Sequence, residues 1–188
     1  MIGLLIYILS GSLFGANRTE PEYSNYSMSG LITVIIVASI SGAGLVTGLL
    51  FAFSNFVMRA LADLQTDKGM FAMQRINTTI INPIFLVLFL GTPILCSVIA
   101  VNSGLKIHEP GSLYLLVGAL AYLIGPFGIT VLFNVPLNNL LAHADRSNAD
   151  EIWPMYQKRW QWWNHIRTYI GVASVVIMAM GLGGIEPL

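Results

Sequence analysis

Four long intervals of this chain contain no Asp, Glu, Lys or Arg: 23–58, 76–105, 110–144 and 168–185. A helix that crosses a bilayer needs about 20 mostly apolar residues, and in hydrocarbon only helices or closed barrels satisfy their own backbone. Intervals of that length, rich in Leu, Ile, Val, Gly and Phe, therefore predict an all-α, four-helix transmembrane bundle. Charged residues make up only 10% of the 188, against about 25% in an average soluble domain. Lys plus Arg and Asp plus Glu number 9 each, so no net field points to nucleic acid as a partner. Cys96 is the one cysteine; an intramolecular disulfide and a Cys/His metal cluster are excluded, and a buried small hydrophobe is expected.

The sequence divides into an N-terminal extension, 1–27, and an integral membrane domain, 28–188. The extension has an apolar start and then a polar, loop-like stretch at 17–29. It reads as a signal-like segment, an extra short hydrophobic span, or an upstream start before Met28. Helix one is expected over 30–62, with Gly44, Gly48 and Ala52 as a close-packing face that continues into Asn55 and Arg59. A polar connection follows, in which 70–77 forms a short helix presenting Gln74 and Asn77. Helix two covers about 78–102 and helix three about 112–142, with Gly125-Pro126 and Val135-Pro136 as bends or local breaks. An interfacial helix around 155–160 leads into helix four, which ends near Gly181. His108, in the loop between helices two and three, is expected to be solvated.

Orientation follows from the basic residues. Arg59, Lys68 and Arg75 lie in the 59–79 connection, and Arg146, Lys158, Arg159 and Arg167 in the 143–167 connection. Both connections are expected on the cytoplasmic side, with the C-terminus opposite.

Polar residues gather at that same end. Asn55 and Arg59 close helix one, Asn77 and Asn82 open helix two, and Thr130, Asn134 and Asn138 recur at four-residue spacing near the end of helix three. Helix four begins with Trp160-Gln-Trp-Trp163-Asn164-His165-Ile-Arg167. Polar groups in lipid are costly unless paired, so they are expected to face inward and form a pocket. Individually they also read as helix–helix glue or as snorkelling side chains. No carboxylate lies within a span, which disfavours an acidic proton relay. The residues suit general acid–base work by His165, with amides and a guanidinium holding an enolate-like anion.

Four segments carry a resemblance: Phe51-Ala-Phe-Ser-Asn-Phe-Val-Met-Arg59, Met73-Gln-Arg-Ile-Asn77, Phe133-Asn-Val-Pro-Leu-Asn138 and Trp163-Asn-His-Ile-Arg167. Together they resemble the anthrone oxygenase-like family of small integral membrane proteins over about 28–182. The resemblance implies a four-helix membrane protein. For the family's named fungal members it implies oxidation of a polyketide anthrone to an anthraquinone by molecular oxygen, without an obvious organic cofactor. It then implies His165 as base, with Arg59 or Arg167 stabilising the oxyanion. Asn134, Asn138 and Asn164 would orient the substrate, and Trp160 and Trp163 would stack on an aromatic ring; the polar layer adds Asn55, Asn77 and Asn82 to the expected substrate-binding residues.

The expected partners are the lipid bilayer, a lipophilic aromatic or quinone-like small molecule, and molecular oxygen. Two other readings stay open at this point. One is a non-enzymatic membrane protein: a small-molecule binder, a transporter or an assembly subunit. The other is haem or metal held in an oligomer by His165 from each subunit.

Overall fold

In the computed structural model, which describes residues 20–184, the chain is helical almost throughout and no strand occurs among those residues. The elements are α1 (Glu20–Ala52), a π-helical turn (Phe53–Val57), α2 (Met58–Ala62), α3 (Thr66–Thr79) and α4 (Pro83–Leu105). Then come α5 (Ser112–Tyr122), a long π-helical segment (Leu123–Asn134), α6 (Val135–Ala142) and α7 (Ala149–Gly183). Four stretches are long and apolar enough to span a membrane: Gly30–Ala62, Pro83–Leu105, Ser112–Ala142 and Ala149–Gly183. The outer face of the bundle is itself apolar; Ile84 and Val87 are 77% and 72% exposed. A surface of that kind is stable only against lipid, so the chain is an integral, multi-pass membrane protein.

Among the described residues, those from Thr33 onward form one compact unit and those up to Ile32 belong to a second. The alternatives for the extension fall mainly on residues 1–19, outside the described residues. From Glu20 onward the stretch expected to be loop-like is helical.

The helices start and stop for local reasons. Asn82 caps α4: its Oδ1 accepts the Phe85 amide at 3.1 Å, with Pro83 preset in the first turn. Helix two therefore begins at Pro83 rather than near residue 78, and α3 continues to Thr79. Gly111 opens α5 with φ 78°, and its α-carbon faces the Gly181 carbonyl, so a side chain there would be both strained and blocked. The interfacial helix expected around 155–160 is not separate; α7 is continuous for 35 residues, with Pro154 inside its second turn.

α7 is the central element, touching α5, α3, α6 and both π-helical stretches. Its inward face carries small residues. Ser174 Oγ donates to the Gly118 carbonyl at 2.7 Å, and a Cβ on Gly118 would lie 2.9 Å from the Met178 amide nitrogen. A Cβ on Gly171 would meet Thr47 and Pro126. These are the close approaches that small residues permit in membranes. Gly44 and Gly48 do not serve that purpose: a Cβ on either meets nothing within 4 Å. The helix-one glycine that does is Gly42, pressed against Thr92.

At the charged end, α3 folds over the bundle. Met70 and Met73 enter a cluster with Met58, Leu141, Trp153, Tyr156 and Trp160. Gln74 Nε2 donates to the carbonyls of Leu141 (2.7 Å) and Ala144 (2.9 Å), which ties α3 to the end of α6. Arg146 Nε donates to Asp67 Oδ2 at 2.8 Å, tying the loop after α6 to the first turn of α3.

Candidate functional site

Both π-helical stretches face α7 at one level, and the buried polar residues lie there. Pro126 accounts for the longer one. It has no N–H to offer and its ring crowds the carbonyl four residues back, so a wider turn relieves the clash. The shorter stretch contains no proline. It follows the turn in which Asn164 Nδ2 reaches across from α7 to the Leu50 carbonyl at 2.9 Å, a side chain inserted into a helix ladder.

Asn164 and Arg167 form the centre. Asn164 is fully buried, and its Nδ2 also donates to Ser54 Oγ at 2.8 Å. Its Oδ1 accepts from Arg167 Nε at 3.0 Å and from Nη2 at 2.7 Å. Arg167 Nη1 donates to Thr130 Oγ1 at 2.7 Å, and Thr130 in turn donates to the Pro126 carbonyl. Thr168 Oγ1 donates to the Asn164 carbonyl at 2.6 Å and lies 3.1 Å from Ser54 Oγ. One face of the guanidinium covers Trp160, 5.0 Å from the ring centroid.

Arg167 is only 4% exposed and makes no ion pair among the described residues. Two of the five N–H donors of a guanidinium are left without a partner there. Close by, the fully buried Asn134 donates from Nδ2 to the Trp160 carbonyl at 3.1 Å, but its Oδ1 accepts nothing. Trp160 Nε1 is likewise buried and unpartnered. An uncompensated cation, a free donor and a free acceptor thus occupy one layer.

The stripe expected on helix three is real and runs antiparallel to α7. Thr130 meets Arg167, Asn134 meets Trp160, and Asn138 Oδ1 accepts from the Tyr156 hydroxyl at 2.9 Å. Asn77, half-buried, lies beside the same hydroxyl.

Other expected residues are elsewhere. Asn55 and Arg59 are exposed, because they continue the face of Gly44 and Gly48, which points away from the bundle. Asn82 is exposed and acts as the α4 cap. Trp163 is stacked on Phe133 with centroids 3.8 Å apart, so that ring face is already covered. His165 is half-buried beside Tyr169, 6.5 Å between ring centroids. It points about 200° around α7 from Arg167, so the structure does not bring the two together. Ser54, Thr168 and Tyr156 belong to the layer although their sequence positions do not advertise it. A polar residue one turn from Asn164 was the available signal for Thr168.

A cleft of about 610 Å³ lies away from this layer, along the outer face of α7; Pro154, Met155, Lys158, Arg159, Trp162 and Trp163 line it.

The family model of anthrone oxygenase matches residues 85–177, from α4 well into α7. No curated protein and no solved structure matches the chain.

Proposed function

From residues 85–177, which place this chain in the anthrone oxygenase-like family, we propose that it is a membrane oxygenase acting on a lipophilic, enolisable aromatic of the anthrone or quinone type. The observation that carries this reading is Arg167: buried, uncompensated by any carboxylate among the described residues, and with N–H donors to spare. A lone cation at membrane depth is costly to keep, and that cost is offset when the ligand supplies the negative charge. Trp160 Nε1 and Asn134 Oδ1 add a donor and an acceptor for a phenol or ketone.

The chemistry balances with oxygen alone. The substrate loses an acidic C–H proton to interfacial water, and Arg167 holds the resulting enolate oxygen. The carbanion adds O2 to give a peroxide, which takes up a proton. Loss of water then leaves a new carbonyl, so the carbon is oxidised and O2 reduced. His165 has no part in this sequence, because α7 carries it on the opposite side from Arg167. Arg59, Lys68, Arg75, Arg146, Lys158 and Arg159 lie in the two connections joined by the Asp67 and Gln74 contacts, which supports a cytoplasmic location for that end.

A structural reading has its own support, since Asn164 bridges α1 and α7. Arg167→Lys separates the two. It keeps the charge but loses the fork shared between Asn164 and Thr130. The oxygenase reading expects oxygen consumption with an anthrone to fall about 100-fold, while thermal unfolding in detergent stays near that of the parent protein. Retained turnover in the variant, or a parent protein that consumes no oxygen with any anthrone, sinks it.

A further inference from the structure

We propose that the cleft on the outer face of α7 binds the phosphate of an anionic phospholipid. Its walls combine two cations with two indoles in a regular order. Lys158 and Trp162, and likewise Arg159 and Trp163, are four residues apart, so each cation sits one turn beyond an indole on the same side. Neither Lys158 nor Arg159 has a hydrogen bond or ion pair through its side chain among the described residues. Trp163 is fixed by its stack on Phe133, whereas Trp162 is 64% exposed and presents its ring outward.

Depth along α7 matches the layers of a lipid. Counting back from Gly183 at 1.5 Å per residue, a hydrocarbon core of about 30 Å ends near Asn164. Trp162 and Trp163 then stand at the hydrocarbon boundary, where indoles are favoured. Lys158 and Arg159 stand about 6 Å further out, at the depth of the phosphate. A lipid seated there rests its glycerol and upper acyl chain on the indoles and its phosphate between the two cations. Glu151 shares this side of α7 but lies about two turns beyond Lys158, past the phosphate level. The site is separate from the Asn164–Arg167 layer, which occupies the inward side.

The test uses the whole protein reconstituted in nanodiscs of equal phosphatidylglycerol and phosphatidylcholine, then extracted into detergent, with retained lipid counted by native mass spectrometry. The parent protein is expected to keep phosphatidylglycerol in preference. The pair Lys158→Gln/Arg159→Gln is expected to lower that retention about 30-fold, the size set by two cations near an anionic headgroup. Lys68→Gln/Arg75→Gln removes the same charge at the same end and is expected to leave retention unchanged. All four positions are exposed, and Lys158→Arg/Arg159→Lys is expected to bind as the parent does. Equal loss in both Gln pairs means a diffuse surface field and overturns the site. Equal retention of phosphatidylcholine, or displacement of the lipid by inorganic phosphate, overturns it as well.

Discussion

Arg167 shares its hydrogens between an amide and a hydroxyl, and neither neighbour can neutralise it. The arrangement is tight at the residue level because the surrounding backbones are close, and closeness is set by a few glycines. Gly118 faces the backbone of α7, which cannot step aside. Gly118→Ala is therefore expected to lower the unfolding temperature clearly, since a Cβ would stand 2.9 Å from a main-chain nitrogen and 3.1 Å from the Ser174 carbonyl oxygen. Gly48→Ala meets open space and gains helix propensity of up to about 1 kcal/mol, so it is expected to be neutral or stabilising. Thermal unfolding in detergent compares the two, and a fall of similar size for both would contradict this assignment of contacts. A four-residue spacing of small residues shows that a helix can pack closely, but not on which side it does so.

At the scale of elements, the wide turns matter most. Pro126 imposes one, and Thr130 and Asn134 reach α7 from within it. Pro126→Ala restores an N–H and removes the ring, allowing an ordinary helix to form there. Later residues of the segment would then rotate by about 100°, taking Thr130 off Arg167. The expected result is unchanged helix content by circular dichroism together with lost oxygen consumption or lost anthrone binding; intact activity would show that the wide segment is dispensable.

Four spans, the proline positions and the polar character of Asn134, Asn138, Asn164 and Arg167 could be read directly from charge-free length and residue type. The proline effect was legible as a disturbance but not as a continuous widened helix, because a ring clash does not specify how the backbone relieves it. The turn at Phe53–Val57 was harder still, having no proline. Its trace is a step of five between the buried Phe53 and Met58, visible only once burial is known. Asn55 and Arg59 do share the face of Gly44 and Gly48, but small residues at four-residue spacing did not tell that this face points outward. His165 was expected in the pocket with Asn164 and Arg167, but the structure places it beside Tyr169 on another side of α7.

On the scale of the whole molecule, the charged end is held by contacts far apart in sequence. The hydrogen bond from Arg146 keeps the Asp67 carboxyl below its ordinary value of 3.8, with smaller help from Lys68 and some opposition from desolvation. A lowered carboxylate stabilises the folded arrangement above the unfolded value and loses that contribution as pH falls through the folded one. The expected window is therefore below 3.8. Protection from hydrogen exchange at residues 143–148, after correction for the intrinsic pH dependence of exchange, should fall there and stay flat above it, while Asp67→Asn should show the lower protection already at neutral pH. Protection that does not respond to acid, or that is unaltered in the variant, would remove the pair from this role.

α7 runs unbroken for 35 residues, or about 52 Å, through a membrane whose apolar core is about 30 Å thick. A rod without a joint has a single depth setting. Lys158 and Arg167 are separated by nine residues, about 13 Å along the axis, and that interval is fixed. Wherever membrane thickness or lipid charge sets the height of Lys158, the immersion of Arg167 follows, so the surrounding bilayer adjusts the dielectric in which the buried guanidinium works.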